Sequence, residues 1–568
     1  MPSRPASRMQ AALDLSLHMQ PCEERPWKYL PAVLVVAFAV RAAVALYGEF
    51  VLHPDEIMQY LEPAHRLVFG YGIRYWEYFY GARPWLVPGA IAGVLKAFDL
   101  IGLGQPFWYV GGVKLVLCAV SLVIPAAMYV FARRHYGEST ARVALVACAL
   151  WYELAGFAHK PMTEFVAAAP LLALLALGLR PSLDDNRAVW LAAFLSVLTV
   201  AVRMQYAPLS LLLLGVVFLR TRRKFTLVLA AAAFALAAGI FDAVAWDGVL
   251  FHSYLTNLRY NLFVRAFRGD ESPVYQFVLW LSLASGGVSV LCILAAWCNP
   301  RRYGLVLALI TVLLVIHSLE AHKEYRFVFV VVPLWILLGA DLVVRLAGGD
   351  LRRFRITVPA AVVVAAASLA GILNWLPYQQ WAYKAWSGEA PYHWFVRRQD
   401  PVFAAYRYLA TAPDVKSVWH IGRQYLITPG YYYLHRRIPF YDLQSGRDVI
   451  PDAAALEATV SHIVADNPRA SIPGYSLERA FGPLRILRRI DNDRPVRQWR
   501  GYSPIIVYEA ERYVLPRIDP DGPVPPDQWA IRFTDPPPPP GGQKFRWDAP
   551  ARPSGQPSPS RSRGSARP

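Results

Sequence analysis

The chain of 568 residues is poor in cysteine: it contains only five, and none lies beyond residue 298. This scarcity argues against a disulfide framework or a thiolate metal site in the C-terminal part. No Asn-x-Ser/Thr sequon, no glycine-rich phosphate loop after a predicted strand and no nucleophile elbow is present. The sequence therefore offers nothing that indicates ATP-driven, NAD-linked or α/β-hydrolase chemistry, and we expect no cofactor.

Acidic residues are also scarce, since 40 Asp and Glu stand against 58 Lys and Arg, a net charge of +18. The basic residues cluster in short loops between apolar runs, which favours a membrane protein over one that binds nucleic acid. Long apolar runs are confined to residues 30–375, and residues 376–568 are polar. The sequence thus predicts an α-helical polytopic membrane protein with an appended soluble domain.

The apolar runs predict about eleven transmembrane helices. They lie near 31–48, 109–132, 140–156, 163–180, 188–202, 205–219, 225–245, 274–297, 304–319, 326–344 and 356–375. A further apolar segment, 85–101, contains Pro88, Lys96 and Asp99, and it is predicted to be an interfacial or re-entrant helix. Residues 1–29 lack a secretory cleavage signal, so the first span is predicted to be a retained anchor.

Clusters of Arg and Lys follow every second predicted span. They lie at 133–134, 220–224, 301–302 and 352–355. The positive-inside rule places these clusters and residues 1–29 in the cytoplasm. The segments predicted to face outwards are 49–108, 157–162, the turn at residue 203, 246–273, 320–325 and the chain after 375. We therefore expect a protein of a cell inner membrane whose first loop and C-terminal domain lie outside the cytoplasm.

The pattern changes beyond residue 375. A small α/β domain is predicted over 376–515, with strands within 417–421, 431–442 and 461–466 and helices at 399–411 and 450–459. Residues 516–568 are rich in proline and serine and are predicted to be disordered.

The most polar stretch beside the membrane is the first outer loop, within which residues 51–85 contain nine aromatic residues. Pro54 suits the first turn of a helix, and from there Asp55, Gln59 and Glu62 share one predicted helical face. Such a carboxylate face at a membrane surface suits chemistry on a sugar or a phosphate.

The same carboxylates have a simpler interpretation. Asp55 and Glu56 could only complement the positive end of the helix dipole. Trp76, Glu77 and Arg83, farther along the loop, supply the aromatic and charged groups that a sugar site uses.

A second polar segment, HSLEAHKEYRF, closes one predicted span and opens the next. His322, Lys323 and Arg326 would then lie at headgroup depth, where cations suit a lipid phosphate. They could equally be snorkelling charges at a helix end. The spacing of His317, Glu320 and His322 does not match a helical pair of metal ligands, so no metal is expected.

Further polar residues lie within or beside apolar runs: Arg41, Arg203, Asp242, Asn257 and Asn261. Charges at such depth usually face a protein interior or a water-filled cavity. Arg41 could pair with Asp242, or both could serve in catalysis.

Two motifs together resemble glycosyltransferase family 22, the lipid-linked α-mannosyltransferases of N-glycan and GPI-anchor assembly. They are HPDE-x2-Q-x2-E-P-x-H in the first outer loop and HKE-x-RF several spans later. The loose resemblance extends over about residues 1–375. The chain departs from the family at Tyr75 and Pro84, where members commonly have Thr and Ser, and it looks like a distant bacterial branch.

The resemblance implies a GT-C fold and an inverting transfer of a sugar, expected to be mannose, from a polyprenyl-phosphate sugar donor to a lipid-linked or envelope glycan acceptor. It implies Asp55 as the general base, with Glu56 as the alternative base. It implies that His322, Lys323, Arg326 and Arg203 bind the donor phosphate, and that no metal is required. The residues then predicted to bind substrate are His53, Gln59, Glu62, Trp76, Glu77, Arg83, Asp242, Asn257 and Asn261.

Two other functions fit the same residues. A transporter or flippase of a lipid-linked sugar would use the basic headgroup site but would need no positioned base. A sensor or scaffold would need the C-terminal domain to bind glycan by itself.

Overall fold

The structure is a computed structural model. It describes residues 27–49, 51, 53–178, 180, 182–261, 272–320, 322–348, 400–421, 428–442 and 453–498. The predicted span 356–375 and the predicted disordered tail 516–568 lie outside these residues.

The N-terminal part is a bundle of apolar helices. Its described helices are α1 (Leu30–Tyr47), α2 (Glu62–Phe69), α3 (Trp76–Phe79), α4 (Leu86–Leu100), α5 (Pro106–Ser121), α6 (Val123–His135), α7 (Glu138–Leu150), α8 (Tyr152–Gly156), α9 (Thr163–Gly178), α10 (Asn186–Val202), α11 (Ala207–Arg220), α12 (Lys224–Ala245), α13 (His252–Arg259), α14 (Gln276–Ser285), α15 (Val288–Trp297), α16 (Pro300–Ser318) and α17 (Val331–Leu346). Within the described chain, α1, α5 with α6, α12 and α16 are long and apolar enough to cross a membrane, and α9, α10 and α11 are shorter apolar helices.

The predicted spans up to residue 344 fall on these helices, with two corrections. The run 140–156 is divided into α7 and α8 at Trp151, whose backbone is extended with φ of −61° and ψ of 130°. The run 274–297 is a pair of helices, α14 and α15, that meet at 114° rather than one straight span. Gly286 and Gly287 lie at the bend with φ of +63° and +85°, a conformation that glycine adopts without steric cost. Composition and length alone do not reveal such a break.

Segment 85–101 forms α4, which has 15 residues. That this helix lies at the interface or re-enters the membrane rather than crossing it stays a prediction. It packs on α2 and α5 beneath the first outer loop.

The C-terminal domain contains α18 (Pro401–Thr411), β1 (Val418–Ile421), α19 (Gly430–Leu434), β2 (Phe440–Asp442), α20 (Ala453–Thr459), β3 (His462–Ala465), β4 (Tyr475–Phe481) and β5 (Leu484–Arg489). The strands form one sheet in the order β2-β1-β3-β5-β4, parallel where β1 meets β2 and β3, antiparallel where β5 meets β3 and β4. The prediction of a small α/β domain is confirmed. The tyrosines 431–433 are helical rather than part of a strand, and the hairpin β4–β5 was not predicted.

Hydrogen bonds join the C-terminal domain to the segment predicted to be the first outer loop and to the start of α5. Both terminal nitrogens of Arg407 on α18 donate to the carboxylate of Glu49, which follows α1. The Asp400 amide donates to the Glu49 carbonyl at 2.8 Å, and the Tyr109 hydroxyl donates to the Tyr432 carbonyl. These contacts place α18 beside the residue that follows α1 and α19 beside α5, and α19 also packs on α2.

Candidate active site

The first outer loop contains a π-helix over Glu56–Leu61, immediately before α2. Because its hydrogen bonds join residues five apart, side chains do not follow the α-helical period. The predicted common face of Asp55, Gln59 and Glu62 is therefore wrong. Gln59 donates to Glu77 at 3.0 Å, whereas Asp55 points at the HKE-x-RF segment and Glu62 at the C-terminal domain.

Asp55 lies against two basic side chains, those of Arg326 and His53. Its Oδ2 accepts a hydrogen bond from Arg326 Nη2 at 2.8 Å and lies 3.3 Å from His53 Nδ1. Burial raises the pKa of this carboxyl, but His53 and Arg326 outweigh it and hold the pKa well below the ordinary value. Asp55 is therefore ionised at neutral pH, and its side chain remains 18% exposed.

The two sequence motifs meet at this carboxylate, although Asp55 and Arg326 are 271 positions apart. Glu324 accepts hydrogen bonds from Arg326 Nε at 2.6 Å and from His322 Nε2 at 2.8 Å, and it lies 3.4 Å from His53 Nε2. Burial opposes ionisation of Glu324, but Arg326 and the two histidines lower its pKa. The result is a continuous network of alternating acidic and basic groups.

Arg203 joins this network through a residue that the sequence analysis missed. Glu164 Oε1, at the first turn of α9, lies 3.1 Å from Arg203 Nη1 and 3.4 Å from Arg326 Nε. The Phe327 ring lies 5.2 Å from the Arg203 guanidinium and 5.5 Å from that of Arg326. Glu164 therefore positions both arginines. An acidic residue at the start of a wholly apolar helix was the available signal.

Lys323 is not brought to the same point. Its Nζ donates to the backbone carbonyls of Ser272, at 3.0 Å, and Glu320. These described contacts are with backbone carbonyls and not with the charged groups around Asp55, and the predicted role of Lys323 in phosphate binding stays a prediction.

Glu56 has a different partner from Asp55. Its Oε2 lies 3.1 Å from Lys160 Nζ, and the two side chains are 6% and 3% exposed. Lys160 is not among the site residues predicted from the sequence, although a lysine in a predicted outer loop between two apolar spans was a signal for it. Because both side chains are buried, each charge of this ion pair is stabilised by the other.

Glu77 and Arg83 lie close to Asp55 but retain unused hydrogen-bonding capacity. Glu77 Oε2 and Arg83 Nε are buried and have no hydrogen-bond partner among the described residues. Burial, reinforced by the nearby Asp55 charge, raises the pKa of Glu77 to about 7 although Arg83 opposes the shift. Arg83, Arg203 and Asn257 line one cavity of about 30 Å³.

Several predicted substrate residues have structural partners, and their binding of substrate stays a prediction. Glu62 accepts hydrogen bonds from the amides of Ile73, Tyr431 and Tyr432 at 2.8, 3.1 and 2.9 Å, two of them at the N-terminus of α19. This carboxylate thereby holds the C-terminal domain on the first outer loop, which explains why its side chain is fully buried.

Asp242 likewise caps a helix, since it accepts from the Ser253 amide at 2.7 Å and hydroxyl at 2.6 Å at the start of α13. The predicted pairing of Arg41 with Asp242 is wrong. Arg41 Nη1 and Nη2 donate to backbone carbonyls, among them that of Ala149 at 2.7 Å, whereas its buried Nε has no hydrogen-bond partner among the described residues.

The remaining predicted substrate residues are Asn257, Asn261 and Trp76. Asn257 Nδ2 donates to a backbone carbonyl of this loop, that of Ala82, at 3.2 Å, and Asn261 Nδ2 donates to Asn257 Oδ1 at 2.9 Å. Trp76 packs on Tyr260 with ring centroids 4.6 Å apart. These contacts place α13 over the cavity that contains Arg83.

Residues 32–384 match the family model described as the Alg9-like mannosyltransferase family. The chain belongs to this family. It is 29% identical over 423 residues to GPI mannosyltransferase 3 of Yarrowia lipolytica, covering 72% of this chain and 76% of that protein. It is also 25% identical over 370 residues to alpha-1,2-mannosyltransferase alg9 of Schizosaccharomyces pombe, covering 56% of this chain and 61% of that one.

The fold is similar to that of ArnT from Cupriavidus metallidurans, solved bound to undecaprenyl phosphate. The TM-score is 0.54 at 14% identity, covering 82% of this chain and 98% of ArnT. The family member therefore has the GT-C fold of multi-pass membrane glycosyltransferases. Membership in a mannosyltransferase family favours an enzyme over the transporter and scaffold alternatives.

Proposed function

We propose that this family member transfers mannose, with inversion, from a polyprenyl-phosphate mannose donor to a hydroxyl of a lipid-linked or envelope glycan at the outer face of an inner membrane. The observation that carries the proposal is the contact of 2.8 Å between Asp55 and Arg326. This contact supports the proposal because it joins a carboxylate that can accept a proton to an arginine that can bind the donor phosphate.

In the proposed reaction, the acceptor hydroxyl oxygen attacks the anomeric carbon of the donor. The bond from that carbon to the phosphate oxygen breaks, and its electron pair leaves with the lipid phosphate. Asp55 takes the hydroxyl proton, while Arg326, Arg203 and His322 stabilise the negative charge that grows on the phosphate. Attack from the face opposite the phosphate converts a β-linked donor into an α-linked product.

The ion pair also provides a way to tune the base. In the free enzyme, His53 and Arg326 hold the pKa of Asp55 low, and a weakly basic carboxylate is a poor proton acceptor. A donor phosphate that shares Arg326 withdraws part of that stabilisation and so raises the pKa of Asp55. The base then becomes strongest when the donor is bound.

Among the loop carboxylates, Asp55 fits the role of base best because it remains partly accessible. Glu56 is paired with Lys160, and Glu62 is fully buried and bonded to backbone amides. Glu77 is the second candidate, because Oε2 lacks a partner among the described residues and its pKa is about 7.

The test is single-turnover mannosyl transfer by purified Asp55→Asn, with donor binding measured in parallel. General-base catalysis contributes about 10²–10⁴-fold, so turnover should fall by that factor while the donor still binds. Glu77→Gln is the matched control, and it should retain most turnover. If Asp55→Asn keeps wild-type turnover and Glu77→Gln loses it, Glu77 is the base. If the wild type moves the lipid-linked sugar between leaflets without transferring it, the enzyme assignment fails.

A further inference from the structure

A large cavity lies between the membrane helices and the C-terminal domain, apart from the site around Asp55. It has a volume of about 550 Å³ and is lined by the end of α1, the start of α5, one face of α18 and the β4–β5 turn. Ligand sites of proteins typically occupy about 300–1,000 Å³. Two other cavities within the described ranges measure about 30 and 20 Å³.

The charged groups of the large cavity balance one another. Glu49 receives both terminal nitrogens of Arg407 and lies 3.9 Å from Lys114 Nζ. Asp400 also lines the cavity and caps α18 by accepting from the Val402 amide at 3.2 Å. Two cations and two carboxylates leave no formal net charge to attract a phosphate.

The same groups are well suited to hydroxyls. Carboxylates accept hydrogen bonds, whereas guanidinium and ammonium groups only donate them, and a hydroxyl does both. Charged partners also make stronger hydrogen bonds than neutral ones. This combination of fixed donors and acceptors favours a neutral, polyhydroxylated ligand.

The remaining wall is apolar and aromatic. Tyr47 at the end of α1 and Phe107 at the start of α5 line the cavity and are 59% and 72% exposed. Phe481 of the β4–β5 turn contributes a third ring. Flat aromatic faces beside polar groups suit the mixed surface of a sugar ring. The cavity adjoins the end of α1, an apolar helix long enough to span a membrane.

The cavity is within reach of the reacting groups. Glu49 and Asp55 are six positions apart, which an extended chain spans in at most about 20 Å. The cavity of about 20 Å³ shares Val110 and Lys114 with the large one and also touches Glu56. A ligand in the large cavity can therefore belong to the same substrate whose end reaches Asp55.

We propose that this cavity binds the glycan of the lipid-linked acceptor, at sugar units remote from the reacting hydroxyl. This rests on the proposed function. The site holds the acceptor so that its terminal hydroxyl lies at Asp55, and remote contacts of this kind help to orient the reacting end.

The experiment compares Ala404→Phe with Thr411→Phe. Ala404 lines the cavity on α18, so phenylalanine fills it without changing a charge, and exposed Thr411 ends the same helix and does not line the cavity. The probe is a linear α-linked mannotriose, titrated into the purified full chain and followed by tryptophan fluorescence. Inorganic phosphate is titrated as the comparison ligand.

We expect Ala404→Phe to weaken mannotriose binding and raise the acceptor KM by about tenfold or more, with donor hydrolysis by water unchanged. Thr411→Phe should match the wild type. If Ala404→Phe does not fold, Glu49→Gln replaces it in the experiment. This variant removes a charge from the cavity but keeps the backbone hydrogen bond to Asp400, and it should also weaken mannotriose binding.

Three results would overturn the assignment: no mannotriose binding to the wild type, equal binding by Ala404→Phe, or phosphate bound at this cavity in place of mannotriose. Donor hydrolysis separates this proposal from the proposed function. A wild type that binds mannotriose but never cleaves the donor contradicts the proposed function and leaves the glycan site standing.

Discussion

The buried pair of Glu56 and Lys160 allows a sharp test of which carboxylate acts in catalysis. Glu56→Gln removes the carboxylate that lies 3.1 Å from the Lys160 ammonium in a nearly inaccessible site. Removing one partner of a buried ion pair typically costs about 3–5 kcal/mol, because the other charge remains buried. Lys160→Met should cost a similar amount for the same reason.

The double variant Glu56→Gln/Lys160→Met removes both charges together. Since a buried pair replaced by uncharged side chains is often nearly neutral, the double variant should be about 3–5 kcal/mol more stable than either single one. If Glu56 only supports the loop, the double variant should also recover most mannosyl transfer.

The measurement is SDS-induced unfolding of the purified protein in micelles, followed by tryptophan fluorescence, together with single-turnover transfer at a temperature where every variant is folded. A result in which Glu56→Gln is as stable as the wild type but inactive, and in which Lys160→Met does not restore it, would refute the structural role and return Glu56 to the chemistry.

Three further predictions follow from the site and its surroundings. Glu164→Gln should raise the donor KM more than it raises the acceptor KM, because the carboxylate positions the two arginines of the phosphate site; equal effects on both would contradict that role. Ser471→Cys, exposed in the C-terminal domain, should react with a membrane-impermeant thiol reagent in intact spheroplasts, whereas the exposed native Cys298, beside a predicted cytoplasmic loop, should react only after lysis. Burial lowers the pKa of His65 to about 3 and of His435 to about 4. Nε2 of His65 lies 3.0 Å from Nδ1 of His435. The unfolded chain then binds more protons below about pH 6.5, so the free energy of unfolding should fall as the pH falls from 6.5 towards 4. Asparagine tolerates the left-handed backbone of position 435. His435→Asn should therefore reduce the pH dependence of stability, measured by limited proteolysis of the C-terminal domain.

Much of the architecture could be predicted from the sequence, because hydropathy and turn chemistry are local properties. The apolar runs predicted the described membrane helices, and the two motifs indicated a family that the comparison confirmed. The change of composition after residue 375 predicted the α/β domain. In each case the physical cause acts within a window of about 20 residues.

The tertiary structure alone decided which charges meet. A buried charge needs a partner, but the sequence does not say which one: Asp55 pairs with Arg326 and Glu56 with Lys160, although the two carboxylates are adjacent. A π-helix redirected these side chains, and its wider turn cannot be inferred from an α-helical period. The site thus depends on packing between distant segments, which local pattern does not encode.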